Sequence, residues 1–372
     1  MMILRDDRLR ALGLGLLSLL GLLVAGELLV RALVDPPRPP YPPEGGRGPE
    51  RDKKDPFLTD DPDLFWKPKP NTQRTMPDPV SPAKSIIVRT NALGLRSPEF
   101  PARKTGAHYW ILVLGNSPVW GERISGEETF TAVLEKKLAA KTKNLSVEAL
   151  NAGMQGYSTF QSRELERRLL DSYRFDLVVI SLMGGDWIPG PRPDKDMISP
   201  AVRRFLSRSG LYRYLSSLLR SGSRSPEYGP RSGPRVPVGD YENNLTDMVR
   251  LAQAQKAEVV LLAPLPICME EDCLGNDPGY RVDRAAFRRL YAHMGTLEPQ
   301  YRDAMSRVAA RTGAHYLDLE DRLRDSPSPS SLYADVTHPN AAGHRLIAAA
   351  LAPLAEGLMR RRVSEKGKDY FR

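Results

Sequence analysis

From His108 onward the sequence alternates short, continuously apolar runs with longer amphipathic stretches, and few folds accommodate that rhythm. The apolar runs are Tyr109 to Gly115 (YWILVLG), Val147 to Gly153 (VEALNAG), Asp176 to Gly184 (DLVVISLMG), Glu258 to Ile267 (EVVLLAPLPI) and His315 to Leu319 (HYLDL). Runs of this kind, bounded by turn residues, read as strands buried on both faces. The stretches 127–142, 159–173, 241–256 and 285–312 carry helical periodicity, and a last helix is predicted over 340–361. The pattern predicts an α/β domain of three layers, with a central parallel sheet of five strands between helices. Such sheets place their sites at the carboxyl ends of the strands.

The rest of the chain reads as appendages to that domain. Ala11 to Val34 is almost wholly apolar, and Ala11 to Gly26 carries no charge. It approaches the roughly 20 residues that a spanning helix needs. Residues 1–35 are therefore expected to be a membrane anchor, with Glu27 and Arg31 paired at i,i+4. The alternative is a signal peptide cleaved after "VAG". Arg5, Arg8 and Arg10 before the run and Arg31 and Arg38 after it leave the positive-inside rule undecided. An N-terminal anchor with a large domain behind it most simply exports that domain, so the expected location is the cell membrane, single-pass, with the main domain extracytoplasmic. Residues 36–84 are a Pro- and charge-rich linker and lead-in. Residues 85–360 are the main domain, and 361–372 a basic tail. Within the domain, 187–240 breaks the rhythm and reads as a cap, although Ala201 to Arg220 is basic and amphipathic enough to suit an anionic lipid surface.

A net charge of +9 invites a nucleic-acid reading, but the cations are scattered. There is no basic stripe with interleaved aromatics and no helix-turn-helix or zinc-finger spacing, so no nucleic-acid partner is expected. Cys268 and Cys273, the two cysteines, suit a small disulfide loop in an oxidising compartment or two free thiols. No Cys or His lies beside them, and no metal site is expected.

Chemistry concentrates at the end of the first strand, in "ILVLGNSPVWG". A nucleophilic Ser117 needs a base, a group that orients the base, and donors for an oxyanion. Of the five histidines, His338 alone has an acid at useful spacing: Asp335, three residues earlier, in "DVTHPNAAGHRL". That spacing on a turn lets a carboxylate meet Nδ1 while Nε2 faces outward. His344 lies on the following helix, where a satisfied or exposed histidine is the default. His108 and His315 begin strands at the wrong edge, and His293 lies within a predicted helix. "NAGMQGYST" and "SLMGGDW" end the second and third strands with glycines that allow close backbone approach, as any strand-to-helix turn also would.

Together these segments resemble the SGNH/GDSL hydrolase family over about Ser85 to Leu358, with "NALGLRSPEF" and "GEETFTAVLEKKL" similar to the flanks of its membrane-anchored bacterial members. The resemblance implies a flavodoxin-like sheet, Ser117 as nucleophile, His338 as base and Asp335 as its orienter. It implies an oxyanion hole from the backbone N–H groups of Ser117 and Gly156, and no cofactor. Two positions depart from the family pattern. Asn116 replaces the aspartate before the serine, and Gly185, followed by Asp186, stands where the family has its oxyanion asparagine. Losing one such donor lowers rates by about 10²–10³. Asn151, a water or a cap residue is the expected substitute, with Asn116 and Asp186 as further support. The implied activity is that of a membrane-anchored serine esterase or acyltransferase acting on O-acyl groups of a glycan or envelope polymer. The alternative is a catalytically impaired module that binds a glycan or an assembly partner.

Overall fold

The computed structural model describes residues 3–33, 57–77, 85–190, 193–197, 209–212, 214–215, 233–277, 283–324, 328–364 and 371. The linker expected before Pro56, most of the amphipathic stretch 201–220 and most of the basic tail lie outside the described residues. The chain divides into two compact units, one of residues 1–41 and 196–231, the other of 42–195 and 232–372.

In the smaller unit, α1 (Ile3–Leu33) includes the stretch expected to be an anchor. Among the described residues no helix is long and apolar enough to cross a membrane. Several apolar side chains of α1 are nonetheless uncovered: Leu14, Leu17, Leu20, Leu22, Leu28 and Leu33 are exposed, whereas Val30 is buried. Glu27 pairs with Arg31 at 2.6 Å, as the spacing predicts. It also accepts from Ser209 Oγ at 2.6 Å, Gly210 N at 2.8 Å and Leu211 N at 2.9 Å. Part of the segment expected to be a cap is thus tied to the N-terminal helix.

The larger unit opens with two antiparallel hairpins, β1 (Leu58–Asp61) with β2 (Phe65–Pro68) and β3 (Gln73–Pro77) with β4 (Ser85–Arg89). β1, β2 and β3 lie in the region read as linker and lead-in, and β4 opens the region read as the main domain. The sheet follows: β5 (His108–Gly115), β6 (Ser146–Gly153), β7 (Leu177–Ser181), β8 (Glu258–Ala263) and β9 (His315–Asp318). All five are parallel, in the order β6-β5-β7-β8-β9. This is the doubly wound, flavodoxin-like order, in which the first strand lies inside the sheet and the chain switches direction beside it.

Helices cover both faces because successive strand residues point to opposite sides. Ile111, Val113, Leu177, Val179, Val260 and Leu262 pack in one apolar cluster with residues of α3 (Phe130–Ala139) and the C-terminal helix Ala341–Ser364. Leu112, Leu114, Val178 and Leu261, on the alternate positions, are equally buried. The helices α4 (Thr159–Ser172), Val238–Ala254 and Arg284–Thr312 pack against one another and the sheet. Each fully buried Leu, Ile or Val contributes about 1.5–3 kcal/mol relative to exposure. The rigid frame therefore lies directly beneath the strand ends where the polar residues collect.

Candidate active site

The nucleophile turn is fixed by close packing. β5 ends at Gly115, Asn116 follows, and the one-turn helix α2 (Ser117–Trp120) begins at the serine, with Pro118 in its first turn. A Cβ on Gly115 would stand 2.0 Å from Val119 Cγ2, and one on Gly153 2.3 Å from Trp120 N. Both strands end in glycine because α2 lies directly on them. Asn151 donates from Nδ2 to Val119 O at 2.9 Å and accepts from Gly153 N at 2.9 Å. Its amide oxygen and one of its amide N–H groups are thus taken by this turn. Arg96, from "NALGLRSPEF", is buried and donates to the carbonyls of Trp120, at 3.0 Å, and of Gly121 and Ile124.

The histidine comes from the loop before the C-terminal helix. His338 Nε2 lies 2.9 Å from Ser117 Oγ, and Nδ1 lies 2.8 Å from both Asp335 oxygens. Asp335 Oδ1 also accepts from the backbone N–H groups of Thr337, at 3.0 Å, and His338, at 2.9 Å. Burial works against the Asp335 carboxylate, but His338, Arg123 and these N–H groups outweigh it and hold it well below the usual carboxylate range. Burial pulls His338 down. The charge and hydrogen bond of Asp335, helped by Glu122, prevail and set it above its ordinary value. The three residues that spacing singled out thus stand in one hydrogen-bonded chain across 221 positions of sequence.

The opposite wall is different. After β7 comes α5 (Gly184–Trp187). With the Asn116 amide turned so that its partners are satisfied, its oxygen accepts from Gly185 N at 3.0 Å and Gly184 N at 3.3 Å. Asn116 therefore keeps an acceptor oxygen at the position where the family has aspartate. A Cβ on Gly185 would stand 1.9 Å from the carbonyl oxygen of Tyr157, so this backbone has no room for the family's asparagine. Asp186 is fully buried; its Oδ1 accepts from Thr159 N at 2.9 Å and Thr159 Oγ1 at 2.6 Å. Burial pushes its carboxyl up to about 7. Gly156, at φ 71°, adopts the left-handed conformation that glycine tolerates best. Its carbonyl accepts from Arg235 Nη1 at 2.7 Å. Arg235 is itself paired through Nη2 with the fully buried Asp194 at 2.9 Å, and Asp194 accepts from Ser158 Oγ at 2.6 Å.

Sequence reasoning missed Arg235 and Asp194, which sit in the stretch read as a cap, and Arg123, whose Nε lies 3.2 Å from Asp335 Oδ2. No spacing motif marks any of them. Of the two alternatives for His344, exposed or satisfied, the structure has it fully buried, with Nδ1 accepting from Phe130 N at 3.0 Å, and burial lowers it to about 3. Cys268 and Cys273 form a disulfide whose loop joins the site, since Cys268 N donates to Val336 O at 2.9 Å. Among the described residues no group of three or more His, Cys, Asp or Glu is placed to hold a metal ion.

The GDSL-like lipase/acylhydrolase family model matches residues 113–346, from inside β5 to the C-terminal helix. No curated protein matches the chain. Among solved structures, a lipase/acylhydrolase from Enterococcus faecalis is 18% identical, covering 67% of this chain and 96% of its own, with a TM-score of 0.42. The acetylxylan esterase Axe2 from Geobacillus stearothermophilus, a catalytic mutant, is 18% identical, covering 68% and 95%, with a TM-score of 0.41. The α/β hydrolase LAE5, from the metagenome of Lake Arreo in Spain, is 21% identical, covering 68% and 97%, also at 0.41.

Proposed function

The chain belongs to the GDSL-like lipase/acylhydrolase family, whose members act on esters, and from that premise we propose that Ser117, His338 and Asp335 are its catalytic triad. The observation that carries this reading is the unbroken chain from Ser117 Oγ to His338 Nε2, at 2.9 Å, and from Nδ1 to Asp335, at 2.8 Å. Ser117 Oγ attacks the ester carbonyl and its proton passes to His338 Nε2. The N–H groups of Ser117 and Gly156 stabilise the oxyanion. His338 returns the proton to the departing alcohol, leaving an acyl-enzyme. Water, or a second hydroxyl, then attacks with His338 again as base, and the acyl group leaves on its oxygen.

The substrate proposed is a short O-acyl ester, such as an acetyl group on a glycan or envelope polymer. The proposed location is the membrane, with the larger unit on the extracytoplasmic side. The exposed leucines of α1 favour lipid contact, and the Cys268–Cys273 disulfide favours an oxidising compartment.

A second reading, a binding module for a glycan or assembly partner, is favoured by Gly185, where the family's donor side chain is missing. A fluorophosphonate probe on the full chain separates the two. Label on Ser117, lost in Ser117→Ala and His338→Ala, supports the esterase. Folded protein that takes no label would overturn it in favour of the binding module.

A further inference from the structure

The residues just after α2 include one that no motif marks. Arg123 adopts φ 64°, the left-handed region that disfavours residues with a Cβ. Such a conformation persists where its surroundings over-determine it. Here the side chain supplies the restraint, since it is only 14% exposed and is spent on three partners. Nε lies 3.2 Å from Asp335 Oδ2. Nη1 donates to Asn276 O at 3.1 Å and reaches Ala334 O at 3.5 Å. Ala334 precedes the triad aspartate, and Asn276 ends the short helix Glu271–Asn276, which carries Cys273 of the disulfide. One guanidinium therefore joins the nucleophile turn, the aspartate loop and the disulfide-closed loop.

The two oxygens of Asp335 are not equivalent. Oδ1 is held by two backbone N–H groups of its own loop, Oδ2 meets Arg123, and His338 Nδ1 lies 2.8 Å from both. We propose that Arg123 is a positioning residue for the triad: its guanidinium fixes Asp335 Oδ2, and through it the His338 ring that faces Ser117. This rests on the esterase reading above.

The charges around His338 give the idea a signature that simple packing would not produce. Asp335, from its own loop, and Glu122, beside Arg123, favour the protonated ring, whereas Arg123 opposes it. His344, on the C-terminal helix, interacts with His338 and stays neutral, and Tyr291, on helix Arg284–Thr312, faces Asp335 and Arg123. Arg123 is thus the nearby cation that offsets two carboxylates. A base held protonated at neutral pH cannot accept the serine proton, so that offset bears directly on rate.

The test uses the full chain in detergent and two substitutions. Arg123→Gly removes the side chain while leaving a residue that accepts φ 64°, so the turn keeps its shape; Arg123→Lys keeps the charge. The His338 ring is titrated by NMR, with His338→Ala to assign its signal, and fluorophosphonate labelling of Ser117 is timed across pH. In Arg123→Gly the His338 midpoint and the acid limb of labelling move to higher pH, and labelling at pH 7 slows about 10- to 100-fold. In Arg123→Lys both return toward wild type. A folded Arg123→Gly with an unmoved His338 midpoint overturns the proposal, even if its stability falls. A wild-type chain that takes no label sinks the esterase reading instead, and the NMR titration alone then decides for or against Arg123.

Discussion

The two walls of the site are both rigid, but for opposite reasons. On the serine wall, side chains reach inward: His338 and Asp335 meet Ser117, while Asn151 and Arg96 hold the turn beneath it. On the opposite wall, side chains are withdrawn or turned outward. Gly185 offers none, its space is filled by the backbone of Tyr157, and Asp186 faces Thr159. The missing asparagine has therefore not left a gap. The chain has closed over the position, and Asn116, Asp186 and the Arg235–Asp194 pair lock it closed. A wall made this way offers no side-chain donor at the Gly185 position.

The sharpest way to break the comparison is to disable the serine wall. Ser117→Ala and His338→Ala should each lower turnover of a p-nitrophenyl acetate reporter by about 10⁴-fold or more, with the double variant little worse than either single one. Additive losses would mean that the residues do not act as one unit. Next in size is the lock on the opposite wall. Arg235→Met leaves Asp194 buried without its cation and should destabilise the protein by about 3–5 kcal/mol in urea unfolding. Replacing both, with Asp194→Leu added, should recover much of that loss. No loss in Arg235→Met would mean that the Gly156 turn does not need its clamp.

The same contrast explains what the sequence disclosed. The sheet was legible because most of its strands are continuous apolar runs, two of them ending in glycine, and His108–Gly115 and Thr159–Ser172 fall within a residue of the expected bounds. Asp335 and His338 were legible because their contact is local. The hairpins were not, since Leu58–Asp61 and Gln73–Pro77 are short, polar and matched only across the chain. Arg123 and Arg235 stayed hidden for a related reason: an arginine among 54 basic residues carries no local mark of the carboxylate it will meet. The Asn151 contact was hidden for the same reason: nothing local marks the Val119 carbonyl to which its amide donates.

Gly185 itself gives a smaller effect and a sharper one. If the position were an open gap, Gly185→Asn would restore a donor and raise the rate. Because a Cβ there meets the Tyr157 carbonyl, both Gly185→Ala and Gly185→Asn should instead lose about 1–3 kcal/mol of stability, with no gain in reporter turnover. A faster Gly185→Asn would show that the Tyr157 backbone yields easily and that the wall is only nominally closed.

The smallest effect tests how the closed wall carries its one buried acid. Asp186 Oδ1 is taken by Thr159, while Oδ2 is buried without a partner. Burial raises the carboxyl from 3.8 to about 7, so between those values the folded chain binds a proton that the unfolded chain has lost. The stability this group contributes is fully present below about pH 4 and is lost as the pH rises through about 7. Asp186→Asn keeps an oxygen for Thr159 and removes the titration. Urea midpoints at pH 4 and pH 8 should therefore fall less steeply with pH in the variant. Comparing slopes cancels groups common to both proteins, including His338, whose raised value also removes stability as the pH rises through it. Parallel slopes would mean that Asp186 stays charged in the fold, and that the wall opposite the serine is wetter than its packing indicates.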